Sequence, residues 1–399
     1  MANTLNLGNG NWATKEDSLL AYNSENGNFK PLAFDFTRAS SATVVNKAGL
    51  IETVGSGEPK IDFSNDANGS LLLEPSRSNY IPYSTLDFDG GVKPNGWSIG
   101  FGTGSYSYEQ LTYKGQKAVK QTQITTGRSY LDTGSITILA NTEHTLKIQF
   151  ILNECVADAN DNILSFISFG ASVIYKFSDI DSNGVLEIQF NPLTDNIGSI
   201  RIGLGVDQNA TGSKSLAWAI PQLEQGSYAT SYIPTSGSAV TRSADVCNNG
   251  GNEQVINSEE GVLYAEISAL ANDGAFRAIS LNNGSVSNRV SIRYNSTLNQ
   301  IQYQYTSGGS VQVNITYNVV DVKTPHKIAV KYKLNDFELF IDGISRGTDL
   351  IGNVMPSGTL TNLDVNGSGV FDYFYGNIKD IRVYNTALTN AELISLTKI

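Results

Sequence analysis

His144 and His326 are the only two histidines in this chain of 399 residues, and neither stands near a G-x-S-x-G elbow or a cysteine. A serine or cysteine nucleophile needs a base within hydrogen-bond reach, so that class of hydrolase is not expected. Glycoside hydrolysis needs two carboxylates held at a fixed separation. The acids here are dispersed, and Glu266 in LYAEISAL is isolated between apolar neighbours. The chain therefore reads as a non-enzyme. Metal chemistry is hardly better provided. DIDSNGVLEIQF (179–190) begins like a calcium loop, but its twelfth position, where a bidentate glutamate belongs, is Phe190. DANDN (158–162) could present oxygen ligands and reads as a solvated loop. Cys155 and Cys247 fall in different expected domains, which fits neither a disulfide framework nor a cysteine zinc site. No cofactor is expected, and calcium stays open.

Noncovalent recognition is better served. RVSIRY (289–294), QIQYQY (300–305) and VQVNITY (311–317) alternate apolar and polar residues, so each reads as a strand with two distinct faces. One face carries Val290, Ile292, Tyr294, Ile301, Tyr303, Tyr305, Val311, Val313 and Ile315 and is expected to be core. The other carries Arg289, Ser291, Arg293, Gln300, Gln302, Gln304, Gln312, Asn314 and Thr316, planar amide and guanidinium donors with no acid among them. Such a surface matches the hydroxyls and carboxylates of sugars. It equally suits a subunit contact, and its plainest reading is a solvated sheet face. A second candidate is Trp97, Tyr106 and Tyr108 in a glycine-rich stretch, where flat aromatic faces on loops could stack on a sugar ring. Core packing explains at least one of these aromatics, Trp97 before the others, because an indole is costly to leave exposed. The amide-rich face is preferred, with Arg293, Gln302 and Gln304 near its centre.

The elements that carry these residues are strands. HTLKIQFIL (144–152) and SIRIGLGV (199–206) alternate in the same way, between clusters of Gly, Asn, Asp and Ser. The 38 glycines, with repeated NG, DG and GG pairs, supply the positive φ angles of tight turns, and 19 Tyr and 16 Phe suit half-buried pleated faces. KIAVKYKLNDFELFIDGISRGT (327–348) reads as a hairpin turning at Asn335-Asp336. Helix is expected chiefly in TNAELISLTK (389–398), with Thr389 as N-cap and Glu392 completing a capping box. The fold class is all-β: tandem antiparallel β-sandwiches after an N-terminal region; the resemblances given below imply that they are a jelly roll followed by a concanavalin A-like sandwich.

Composition bounds the partners. The net charge of −11, with no Lys/Arg cluster, repels a phosphate backbone, so nucleic acid is not expected. No apolar run approaches the roughly 18 to 20 residues of a membrane span. No basic region followed by an apolar stretch opens the chain, so no secretory leader is read and synthesis in a cytoplasm is expected. NNGGNEQ (248–254) reads as the clearest linker, and STLDFDGGVKPNG (84–96) loses alternation altogether. These interruptions give an N-terminal region 1–85, a middle sandwich 86–247 and a C-terminal sandwich 255–399. LNLGNGNWATKEDSLLAY (5–22) has too little apolar area for a core of its own. It is expected to order against a partner through Leu5, Leu7, Trp12, Leu19 and Leu20.

Three stretches carry a resemblance. FDFTRASSATVVNKAGLIETVGSGEPKIDF (34–63), LLLEPSRSNYIPYS (71–84) and QLEQGSYATSYIPTSGSAVTRSADV (222–246) resemble a recurrent module of tailed-bacteriophage virion proteins. In that module an LLLEP-S-R-x-N stretch leads into a jelly roll resembling carbohydrate-binding modules, and a QLE-x-G…TR-x-AD stretch closes it. The match includes Glu74, Pro75, Arg77, Asn79, Gln222, Glu224, Gly226, Thr230, Tyr232, Pro234, Thr241 and Arg242; residue 78 is Ser where Thr is usual. Independently of the resemblance, Arg38, Arg77 and Arg242 sit among small hydroxyl and apolar residues, where a guanidinium can clamp loop carbonyls. FDYFYGNIKDIRVYNTALTNAELISL (371–396) resembles the ending of laminin-G-like, concanavalin A-like domains. Glycosidases of that fold usually carry E-x-D-x-x-E on one strand, and no such spacing occurs here. The resemblances imply a head or tail fibre of a virion, attached to other virion proteins by its N-terminus, binding host-surface glycans, and homotrimeric as phage fibres are. A non-viral glycan-binding lectin, or a glycan-degrading enzyme, is the alternative.

Overall fold

The computed structural model describes residues 2–15, 17–29, 33–100, 104–167, 173–192, 196–368 and 371–399. It is nearly all β, in antiparallel sheets, as the alternation and turn dipeptides predict. The chain forms two compact units: one from residues 1–49, 53–75 and 243–399, the other from 50–52 and 76–242. The second unit is thus an insertion within the first.

The main core of the first unit lies between two large sheets, and a smaller four-stranded sheet adds Leu19, Phe34, Phe36 and Cys247 to it. An eight-stranded sheet runs in the order Ile344–Asp349, Phe337–Ile341, His326–Lys333, Glu260–Ala269, Gly376–Tyr384, Ser70–Leu73, Ile61–Asp62, with Leu5–Gly8 also pairing to Gly376–Tyr384. The facing five-stranded sheet runs Ser310–Asn318, Gln300–Ser307, Arg289–Tyr294, Arg277–Asn282, Asn362–Asp364. Leu263, Ile267, Val330, Leu339 and Ile381 from the first meet Ile279, Val290, Ile292, Tyr303 and Val313 from the second. The helix Asn390–Thr397 has the expected capping box of Thr389 and Glu392, and its Leu393 packs with Tyr264, Ala329 and Phe340 on the outer side of the larger sheet.

Several boundaries differ from expectation. The N-terminal region is not a separate domain: Leu5, Leu7 and Leu19 are buried in the core of the first unit, where Val255, Ile378 and Val383 also lie. Apolar area too small for its own core is here buried against strands nearly 380 positions away, as Leu5 pairs with Val383. Nor is NNGGNEQ a linker. Val246–Asn248 pairs with Ala33–Thr37, and Gly250 exchanges backbone hydrogen bonds with Leu363. Gly250 is required there because any side chain would overlap the Phe34 ring. The passages between units fall at 75/76 and 242/243 instead of near 85 and 250.

The inserted unit has a five-stranded sheet, Tyr106–Tyr113, Gln116–Gln123, Lys214–Gln225, His144–Phe150, Val185–Phe190. A six-stranded sheet built around Ser129–Asp132, Asn196–Leu204 and Asn162–Ile167 accompanies it. Val119, Leu146, Ile148 and Trp218 share a core with Leu131, Leu164, Ile200 and Ile202. The unit's entering strand, Arg77–Asn79, pairs with its leaving strand, Val240–Arg242.

Candidate functional site

The stretches flanking the insertion are built into the frame of each unit. On the first unit's side, Arg38, Lys60, Glu74 and Asp245 form a buried, charge-balanced cluster. Asp245 takes Arg38 Nη1 at 3.1 Å and Lys60 Nζ at 2.9 Å, and Lys60 also pairs with Glu74. Arg38 further donates to the carbonyls of Ser40 and Gly55, the clamp its setting predicts. On the inserted unit's side, Arg242 Nη1 donates to the hydroxyls of Thr230 and Ser231, and Glu224 accepts from the Thr230 amide and hydroxyl. Gln222 accepts from the Ile233 amide, and Asn79 accepts from the amides of Ile81 and Leu223. Arg77 lies over the Tyr228 ring, and Gly226 beside it takes a φ of +136°, a conformation that L side chains rarely adopt, which accounts for the glycine in the motif. These residues close chain crossings within each unit.

The aromatic candidate is also largely structural. Trp97 is 1% exposed, packs on Trp218 at 5.1 Å between ring centres, and donates Nε1–H to the Tyr83 carbonyl. Tyr106 and Tyr108 lie on the strand Tyr106–Tyr113 and not on a loop, half-buried, their rings edge to face. The N-terminal anchors Leu5, Leu7 and Leu19 are core, Leu20 is half-buried, and Trp12 packs partly on the core while donating to the Asn68 carbonyl.

The amide-rich face survives in altered form. Alternation places Arg289, Arg293, Gln302, Gln304 and Asn314 on the side of the five-stranded sheet away from the core, with Arg293 opposite Gln302 and Gln304 opposite Asn314. Gln304 Oε1 accepts from both Arg289 Nη2 and Arg293 Nη1, each at 2.8 Å. Arg289 Nη1 donates to the Gly367 carbonyl at 2.6 Å. Arg293 is nearly buried, reaching Asp372 at 3.3 Å and lying 5.1 Å from the Phe276 ring centre. Gln302 donates to Asn314 Oδ1 at 2.7 Å, an exposed diagonal contact between neighbouring strands. Burial lowers the pKa of both arginines, Arg289 additionally through the neighbouring Arg293 charge.

Three corrections follow. The face does contain an acid, Asp372, brought from a loop that no strand pattern could assign to it. Arg293 is not a free donor at the centre but a held one. Val311, expected in the core, is 54% exposed, because a bulge after Tyr305 pairs it with Thr306 and turns it outward. Sequence reasoning missed Phe276 entirely. It is 43% exposed and follows the Asp273–Gly274 turn, so only the tertiary contact with Arg293 marks it. The arrangement offers an apolar ring, planar donors and amide acceptors side by side, which is the chemistry that holds sugars.

The other chemistry-bearing residues are placed as follows. His144 lies in the inserted unit, stacked on Phe190, and His326 in the first, paired with Asp342 at 2.6 Å. Asp158 and Asp161, from the DANDN loop, hold Lys214 at 2.8 and 2.5 Å. Asp181 caps its own turn by accepting from the amides of Asn183 and Val185. Cys247 is fully buried and Cys155 partly so. Glu266 lies 3.8 Å from Lys379.

Residues 253–394 match the family described as the concanavalin A-like lectin/glucanases superfamily. This segment is a laminin-G/concanavalin A-like lectin domain. The five-stranded sheet with its amide-rich face belongs to that lectin-like domain. Among solved structures, the CBM40 of the Ruminococcus gnavus IT-sialidase bound to α2,3-sialyllactose is 18% identical, covering 35% of this chain and 83% of its own, with a TM-score of 0.31. The SAP-like pentraxin of Limulus polyphemus is 10% identical over 38% of this chain and 74% of its own, at 0.32. Mouse laminin α1 domains LG4-5 are 8% identical over 66% and 88%, at 0.26. No curated protein matches the chain.

Proposed function

We propose that the protein is a structural component of a tailed-phage virion, a head or tail fibre, that binds host-surface glycans through the lectin-like domain. The observation that carries the binding half is the grouping of Arg289, Arg293 and Gln304, with the exposed Phe276 ring against Arg293 and the Gln302–Asn314 hydrogen bond running diagonally alongside. The virion half is supported by the resemblance of residues 34–84 and 222–246 to phage virion modules. On this reading the protein binds without cleaving, attaches to other virion proteins, and gains avidity as a homotrimer.

The test has two parts. Wild-type protein and a Phe276→Ala, Gln302→Ala variant are applied to host cells and to an oligosaccharide array. Loss of one hydrogen bond to ligand, about 0.5–1.5 kcal/mol, together with loss of the stacking ring, about the same again, should weaken binding about tenfold at unchanged fold. Retention of neither cells nor sugars by the wild type would sink the binding half. Antibody-gold labelling of purified particles tests the virion half, which fails if the particles carry none of the chain; light scattering showing a monomer at micromolar concentration removes the trimer.

A further inference from the structure

The amide-rich face holds an excess of positive charge that the protein itself does not neutralise. Two guanidiniums share the single oxygen Gln304 Oε1. Arg293 has Asp372 as a partner, whereas Arg289 has two neutral acceptors, Gln304 Oε1 and the Gly367 carbonyl. Among the described residues no carboxylate lies within ion-pair distance of Arg289, and the one acid whose charge acts on it is Asp372, which it shares with Arg293. The Nε of each arginine is buried without a hydrogen-bond partner. Two like charges converging in a half-buried place cost free energy, yet the chain as a whole carries a net charge of −11 and has acids in abundance to pair with them. Carried on the middle strand of the five-stranded sheet, on the side away from the core and with the exposed Phe276 ring against Arg293, the excess charge is in position for something outside the protein.

Resting on the glycan-binding reading, we propose that Arg289 and Arg293 receive an oxyanion substituent, carboxylate or sulfate, of an acidic glycan whose ring lies against Phe276. A guanidinium meets a planar or tetrahedral oxyanion through two parallel N–H donors, and such charge-assisted bonds are roughly twice as strong as neutral ones. The anion supplies the second negative charge of a two-by-two arrangement with Asp372. Gln302 and Asn314, further along the face, are left for the hydroxyls of the next sugar.

The experiment uses the full chain and an array of oligosaccharides in neutral, uronate, sialylated and sulfated forms, with each carboxylated probe repeated as its methyl ester. The expected result is at least tenfold stronger retention of the free acid than of its ester, and a ratio that collapses towards one in Arg289→Gln. Retention of sulfated probes alone, with the same collapse, assigns the group as sulfate. A salt titration of the wild-type protein keeps the test open if the variant does not fold: acidic probes should be released by added salt while esters are not. Equal retention of acid and ester overturns the anion site and leaves glycan binding standing. Retention of no probe at all overturns both.

Discussion

Arg38 Nη1 lies 3.1 Å from Asp245 Oδ1, a fully buried pair brought together from 207 positions apart. The inserted unit occupies most of that separation. With Lys60 and Glu74 the pair forms a closed set of two positive and two negative groups, so removing one member strands a buried charge. Arg38→Ala or Asp245→Ala should each cost about 3–5 kcal/mol in chemical denaturation. A loss within 1 kcal/mol, at the level of an exposed pair, would show that the cluster is wet.

Because Asp245 donates its amide to the Glu74 carbonyl at 3.0 Å, the two ends of the interruption already meet within the first unit. Replacing residues 76–242 by a short flexible linker should leave a first unit that unfolds in one cooperative step. The excised 76–242 fragment, closed by the pairing of Arg77–Asn79 with Val240–Arg242, should do the same. Loss of cooperative unfolding in both pieces contradicts the division.

Deleting residues 1–22 should unfold or aggregate the first unit, since Leu5, Leu7 and Leu19 fill its core. Leu7→Ala alone should cost about 2–5 kcal/mol. A truncated protein with an unchanged melting temperature would return the segment to the role of a detachable anchor.

Trp97→Ala should cost about 3–5 kcal/mol while leaving retention on the oligosaccharide array unaltered, because Trp97 is 1% exposed and packed on Trp218. Loss of sugar binding at full stability would reinstate the aromatic candidate.

His326 gives a pH signature. Burial pulls its pKa down, but the hydrogen bond and charge of Asp342, with the Asp321 carbonyl on the other ring nitrogen, raise it on balance above 6.5. A raised folded pKa means that the imidazolium stabilises the fold fully below the unfolded value and ceases to do so as pH rises through the folded value. The melting-temperature advantage of the wild type over His326→Gln should therefore be largest below pH 6.5 and shrink above it. An advantage independent of pH would mean that the ring acts by packing alone.

Local properties of the chain determined the secondary structure. Alternation of period two reports which side chains of a strand share a face, so Arg289, Arg293, Gln302, Gln304 and Asn314 could be grouped before any coordinates, as could Ile292 and Tyr303 in the core. The capping box at Thr389 is equally local, a matter of three residues. Val311 escaped because one bulge shifts the period, and a bulge leaves no mark in alternation read strand by strand. Tertiary structure alone decided how distant segments close on one another. Whether Leu5 caps its own domain or pairs with Val383, whether Arg38 clamps carbonyls only or also Asp245, and whether an acid reaches Arg293 depend on contacts whose sequence separation exceeds any periodic pattern. Burial is a property of the assembled sheets, and it places Trp97 in the core while leaving Phe276, a residue with no pattern around it, beside Arg293.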